Sequence, residues 1–368
     1  MKVTVKDICA LLEELAPPVL QESYDNSGLL VSCSDSEITK ILLCLDSTEN
    51  VVQEAIQKEC QMIIAHHPII WGGLKRITRK TNTERAIIKA IKSDISIYAC
   101  HTNLDKVYQG VNQKFAEKLQ LKNPKILCPE QNWLKKLVTF APLADANKLR
   151  EALFAAGAGN IGNYSECSFN MEGTGTFKAG KEARPHVGSI DTLHFENETR
   201  IEVVLPSWAE QNVLNALFSA HPYEEVAYYL QSLSNKHQQI GLGMIGELKK
   251  PMKEPEFLEF IKTALNLQSI RYQSYSEGTE IQTVAICGGS GHFLLKSAIA
   301  QGADAYITAD VKYHEMQEAE GRLLYADIGH YESEIATTQI FAQEIRKKFA
   351  NIALLFSENN INPIKYFL

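Results

Sequence analysis

Met62-Ile63-Ile64-Ala65-His66-His67 decides the reading of this chain: an apolar run of strand length that ends in two imidazoles. An unbroken run of this kind is what a strand covered on both faces looks like, as in parallel sheets flanked by helices. Ile41-Leu42-Leu43-Cys44-Leu45 precedes it, and Ile95-Ser96-Ile97-Tyr98-Ala99 follows and leads to His101 and Asp105. The segments between have helical spacing. Ser47 or Thr48 caps one predicted helix through Val51, Val52, Ala55 and Ile56, and another runs from about Thr83 to Lys92. Strand alternating with helix predicts parallel neighbours and right-handed crossovers. The polar residues at the strand tips then share one sheet edge, where open α/β sheets bind ligands.

The C-terminal part has the same grammar. Thr283-Val284-Ala285-Ile286-Cys287 runs into Gly288-Gly289-Ser290-Gly291, with a helix through Leu294, Leu295, Ala298 and Ile299 after it. Ala305-Tyr306-Ile307-Thr308 is the next strand and ends at Asp310; a helix over about 313–320 carries His314. The strand 323–326 leads to Asp327, His330 and Glu334. The expected class is α/β, with two similar lobes facing each other across a metal-binding cleft. At the N-terminus, Thr4 and Asp7 form a capping box for a helix with Ile8, Leu11, Leu12 and Leu15 on its apolar face, ended by Pro17-Pro18.

Between about 128 and 246 the texture changes. Lys136–Phe140 is a strand, Asp145 to Ala156 a helix closed by Gly157, and a strand over 164–169 follows a Gly-, Ser- and Asn-rich stretch. Asp191 to Leu205 alternates like a strand pair, Gln211 to Ser219 is helical, and Val226 to Leu230 is a final strand. This order predicts an inserted α+β ferredoxin-like domain. The expected division is 1–127 for the first lobe, 128–246 for the insert and 247–368 for the second lobe.

Composition excludes several classes. In 368 residues, 45% hydrophobic and 22% charged side chains are those of a globular protein, and the apolar runs are too short to span a bilayer. The N-terminus lacks an apolar leader, so the expected location is cytoplasmic. A net charge of −7 forces no basic face and argues against nucleic acid as a partner. Among the eight cysteines no two form a Cys-x-x-Cys pair, which argues against thiolate zinc and a disulfide framework.

What remains is an oxygen and nitrogen donor set at strand tips: His66-His67, then His101 with Asp105, then His330 with Glu334. Imidazoles and carboxylates without thiolates suit one or two divalent transition metals. Taken alone, the paired histidines are as often structural as liganding, and His330 with Glu334 at helical spacing is more often a surface pair. Together they favour metal. His101 has three open readings: ligand, donor to Asp105, or proton carrier, the last two ranked first. The turn Gly288–Gly291 is similar to an anion-binding turn, which would give Gly289 and Ser290 a substrate phosphate; strand-to-helix turns need glycine anyway. Asp310 and His314 are expected to line the pocket, His314 as a second proton carrier. Asp25 and Asn26 would hold substrate, against the plainer reading of an Asx turn. His221-Pro222-Tyr223-Glu224-Glu225 is assigned no chemistry.

Four segments together resemble one family: Tyr24-Asp25-Asn26-Ser27-Gly28-Leu29, Ala65-His66-His67-Pro68, His101-Thr102-Asn103-Leu104-Asp105 and Gly329-His330-Tyr331-Glu332-Ser333-Glu334. It is the Nif-three-like (NGG-one-interacting-factor-three-like) family, whose bacterial members are often labelled GTP cyclohydrolase I type 2 homologues. Tyr24 stands where the family usually has Trp. The resemblance implies a pair of divalent ions (Zn, Fe, Mn or Co) on His66, His67, Asp105, His330 and Glu334, and a toroidal homohexamer. It also implies that the insert is similar to signalling proteins of the PII and copper-tolerance A type. A dinuclear site of this kind suits a hydrolase acting on a small phosphorylated or heterocyclic, nucleotide-like compound. The alternative is a non-catalytic metal chaperone, regulator or interaction protein.

Overall fold

The computed structural model describes residues 2–33, 37–274, 278–359 and 361–367. Its first helix, Val5–Leu15, begins at Thr4: Thr4 Oγ1 accepts from the Asp7 N–H, and the Asp7 carboxylate accepts from the Thr4 N–H. The strands, in chain order, are β1 (Gly28–Val31), β2 (Lys40–Asp46), β3 (Met62–His67), β4 (Ser96–Ala99), β5 (Lys122–Pro129), β6 (Leu134–Pro142), β7 (Phe169–Lys178) and β8 (Leu193–Pro206). They continue with β9 (Tyr228–Leu233), β10 (Gly241–Lys253), β11 (Arg271–Gln273), β12 (Glu280–Ser290), β13 (Ala305–Ala309), β14 (Leu324–Asp327) and β15 (Ala353–Phe356).

The chain forms two compact units, Met1–Cys128 with Ile240–Leu368, and Pro129–Gln239. The first unit holds two sheets. One has the order β1-β4-β3-β2-β15, with β15, β2, β3 and β4 parallel and β1 antiparallel at the edge. Helices Glu49–Gln57 and Asn82–Lys92 bury Val51, Val52, Ala55, Ala86, Ile87 and Ala90 against Leu42, Ile63 and Ile97 of that sheet. The other has the order β11-β14-β13-β12-β10-β5, parallel across β12, β13 and β14. Phe257, Ile261 and Leu265 of helix Glu254–Leu265 share a core with Val284, Ile286, Ile307 and Ala326.

These sheets do not divide where the sequence reading cuts the chain. β5 lies before the insert and pairs with β10, so residues 122–127 belong to the second sheet. β15, near the C-terminus, pairs with β2 from Ala353↔Lys40 to Phe356↔Leu43 and completes the first.

The second unit runs β6, helix Ala146–Ala155, β7, β8, helix Glu210–Ala220, β9, and its antiparallel sheet has the order β7-β8-β6-β9. Leu149, Leu153, Val213 and Leu217 cover one sheet face at Leu137, Ile201 and Val203. Two expectations change here. The alternating stretch 191–205 is one strand, β8, which no Gly or Pro interrupts and which runs straight through Asn197: Leu193–Glu202 pairs with β7 and Glu198–Pro206 with β6. The strand expected over 164–169 is instead β7, beginning at Phe169; Ile161 and Tyr164 make an isolated bridge. Among the described residues no helix is long and apolar enough to cross a membrane.

Candidate metal centre

The first sheet supplies donors from the tips of three neighbouring strands. Asp46 ends β2 in register with His67 at the end of β3, and His101 and Asp105 follow β4, Asp105 inside the short helix Thr102–Lys106. The second sheet supplies His330 and Glu334 from helix His330–Glu334 after β14, entered through Gly329 at φ 91°. Asp310, also left-handed at φ 57°, follows β13.

Four imidazoles are anchored in the same way. His66 Nδ1 donates to the Cys100 carbonyl at 2.8 Å. His67 Nδ1 is bonded to Asp46 Oδ1 at 2.8 Å, His101 Nδ1 to Asp25 Oδ1 at 2.8 Å and His330 Nδ1 to Asp310 Oδ2 at 2.7 Å. Each outer bond leaves Nε2 as the inward-facing ligand atom, the usual arrangement of metal-binding histidines. The ligand atoms of His66, His67 and His101 lie within 4.8 Å of one another, as do those of His67, His330 and Glu334. Glu334 Oε2 is 3.0 Å from His67 Nε2, 2.9 Å from His330 Nε2 and 3.7 Å from His66 Nε2. Asp105 Oδ1 is 3.6 Å from His66 Nε2.

The donors fit a cation on two independent counts. His66 Nε2 and Asp105 Oδ1 are buried without a hydrogen-bond partner, which costs free energy unless something else satisfies them. Gly289 makes room for the carboxylate: at φ 62°, a Cβ there would stand 2.2 Å from Glu334 Oε1 and 3.5 Å from His330 Cε1.

That second observation also corrects the reading of Gly288–Gly291. β12 continues through Ser290, so the segment is strand with a register shift rather than a strand-to-helix turn. Its N–H groups are engaged: Gly288 donates to Asn112 Oδ1, Gly289 to Ser333 Oγ and Gly291 to Thr308 Oγ1, each at 2.9 Å. Gly289 seats Glu334, and the three glycine N–H groups are spent inside the protein.

Charge is tightly balanced. Burial holds His66 neutral, lowering its pKa to about 4. Burial also opposes protonation of His67, but Asp46 and Glu334 on its two nitrogens outweigh it and raise the pKa to about 10. His330 rises to about 9 because Glu334 and Asp310 outweigh burial in the same way. Burial, then the Glu334 charge, drives the Asp105 carboxyl well above the carboxylate range. Such a site carries its negative charge on protons until a divalent cation replaces them.

The structure brings together His66, His67, Asp105, His330 and Glu334, and His101 stands among the converging donor atoms. Asp25 has a fully buried side chain and takes bonds from His101, Thr102, Ser27 and the Asn26 N–H, so it orients His101. Asn26 Nδ2 donates to the Ile70 carbonyl and fixes the chain beyond the His pair. Asp310 orients His330. His314 is exposed, its ring against Tyr313, and is not among the converging donors. Sequence reasoning missed Asp46, although a carboxylate at a third strand tip was a readable signal. It also missed Trp71, 53% exposed with its ring edge-on to His101 at 5.0 Å. No spacing rule marks a lone aromatic in a loop.

The family described as Duf34/NIF3 (NGG1p interacting factor 3) matches residues 3–363. A Bacillus subtilis protein named GTP cyclohydrolase 1 type 2 homolog is 36% identical over 370 residues, covering 99% of each chain. A Halalkalibacterium halodurans protein of the same name is 41% identical over 313 residues, covering 85% of this chain and 84% of its own. Among solved structures, a Bacillus cereus protein related to NIF3 superposes with a TM-score of 0.88 at 36% identity over the full length of both chains.

Proposed function

This chain belongs to the NIF3 family, and from that premise we propose that it is a dinuclear metal-dependent hydrolase acting on a small phosphorylated or heterocyclic, nucleotide-like compound. The observation that carries the reading is the set of four imidazoles, each bonded outward through Nδ1, converging with two carboxylates. Five side chains in two donor groups that share His67, with Asp105 beside His66, suit two ions better than one. When bound, divalent ions supply Lewis acidity and an acidified water.

The protein's own groups do the rest. Asp25 and Asp46 fix the tautomers of His101 and His67. The half-exposed Trp71 offers a flat face beside His101 on which a heterocycle can stack. The loop after Trp71 carries Lys75, Arg76, Arg79 and Lys80, a positive segment that favours a phosphorylated substrate. Opening of a purine imidazole ring is one hydrolysis of this class, and the name of the curated relatives points the same way.

The test is a screen of metal-loaded protein against phosphoesters, nucleotides and cyclic amides, with His66→Ala as control. Turnover that needs metal and is lost in His66→Ala supports the reading. Stoichiometric metal without turnover on any of these classes moves it to a metal-handling or regulatory protein. The insert's antiparallel β7-β8-β6-β9 order supports its reading as a ferredoxin-like, PII-type module. The homohexamer implied by the family is checked by light scattering.

A further inference from the structure

The run His221-Pro222-Tyr223-Glu224-Glu225, without chemistry in the sequence reading, contributes Tyr223, Glu224 and Glu225 to the wall of a cavity of about 510 Å³ in the unit Pro129–Gln239. Its geometry is fixed from beneath. His221 is buried, donates through Nε2 to the Phe140 carbonyl at 2.8 Å and accepts the Tyr223 N–H at Nδ1. Burial lowers its pKa, so the ring stays neutral and keeps that tautomer. Tyr223 is therefore pinned to β6, and its hydroxyl donates to Glu198 Oε1 at 2.9 Å. Gly175 clears the space beside that carboxylate: a Cβ there would stand 2.2 Å from Glu198 Oε2.

The lining has two chemical parts. Phe140, Phe177, Tyr223 and Tyr229 give aromatic surface. Glu198, Glu224 and Glu225 give carboxylates, against which Lys178 and His186 are the basic lining side chains, and the Arg200 guanidinium stands 5.7 Å from the Phe140 ring centre. Glu224 is used internally, accepting the Arg184 N–H. Glu198 Oε2 accepts no hydrogen bond from the described residues. Among those residues no three metal-donor atoms converge in this unit, which disfavours a metal ion. The excess of carboxylates disfavours an anion.

We propose that this cavity binds a small organic cation, an ammonium carried on an apolar or aromatic body. Its charge meets Glu198, and its body lies against Phe177 and Tyr229. Aromatic faces attract such cations through their quadrupoles, and the volume is that of an ordinary small-molecule site. The inference is independent of the metal centre.

Benzyltrimethylammonium is the probe, titrated calorimetrically into the full-length protein, with phenyl phosphate and benzyl alcohol as anionic and neutral counterparts. Saturable binding of the cation at one site per chain is expected, weakened about tenfold or more in Glu198→Gln, which keeps an acceptor for Tyr223. Phe177→Leu should weaken it too, and melting curves of both variants establish that they fold. Binding unchanged in both variants, preference for phenyl phosphate, or no saturable heat up to about 10 mM cation would each overturn the proposal.

Discussion

Asp25 reaches the metal centre through His101, and its carboxylate takes bonds from Asn26, Ser27, His101 and both polar groups of Thr102. Burial alone would raise its pKa, but the bonds from His101 and Thr102 hold the carboxyl well below the usual range. Asp25→Asn turns one acceptor into a donor facing donors, so His101 loses its fixed tautomer. Metal affinity should fall about 10–100-fold, measured by competition with a chelating dye. Affinity within twofold of the parent would show that His101 needs no such partner. Gly289→Ala tests the opposite face of the site. The new methyl meets Glu334 on a left-handed backbone, so metal binding should be lost together with about 2 kcal/mol or more of stability in urea titrations. The donors were legible because they stand at strand tips in runs with few other readings. Their partners Asp46 and Asp310 were harder, since a carboxylate beside a strand end is common and only the three-dimensional pairing with a histidine gives it a role.

At the scale of elements, Glu54 holds the segment that follows β15. It lies on helix Glu49–Gln57, is 4% exposed, and accepts from Lys58 Nζ at 2.8 Å, Ser357 Oγ at 2.6 Å and the Glu358 N–H at 3.0 Å, stapling the segment after β15. Burial raises its pKa, but these bonds prevail and bring it from 4.5 down to about 2. A carboxyl depressed on folding stabilises the fold above its unfolded pKa, and that stability fades as pH falls from about 4.5 towards 2. Glu54→Gln should therefore cost about 3 kcal/mol at pH 7, and the gap between parent and variant should close towards pH 2 in urea unfolding. A gap independent of pH would assign the effect to packing. β15 itself was illegible in the sequence. Ala353–Phe356 reads as a short apolar run, and nothing local says that it joins the first sheet, some three hundred residues back. β7 was missed for a related reason: its Gly-Thr-Gly core has poor strand propensity, and pairing with the long β8 overrides it.

At the scale of the molecule, the metal donors come from two sheets of one unit: His66, His67, His101 and Asp105 from the first, His330 and Glu334 from the second. The α/β grammar of both sheets was readable from periodicity, because strands buried on both faces leave continuous apolar runs. The exchange of β5 and β15 between the two halves was not, because strand partners are chosen by tertiary contacts. That exchange means neither half of the sequence holds a complete sheet, so the unit should unfold as one. Ions that bind only the folded arrangement stabilise it by mass action, about 4 kcal/mol at a thousandfold excess over Kd. For a unit of this size each kcal/mol moves Tm by about 2–4 °C, so loading with Zn, Mn, Fe or Co should raise Tm by roughly 8–16 °C. Chelation should reverse the shift, and calorimetry should show a single transition for this unit that moves as a whole. His67→Ala removes the residue common to both donor groups and should abolish the shift, whereas His314→Ala should leave it intact. If the metal instead moved only part of a split transition, the two sheets would be separate folding units, and their joint ownership of the site would have to be abandoned.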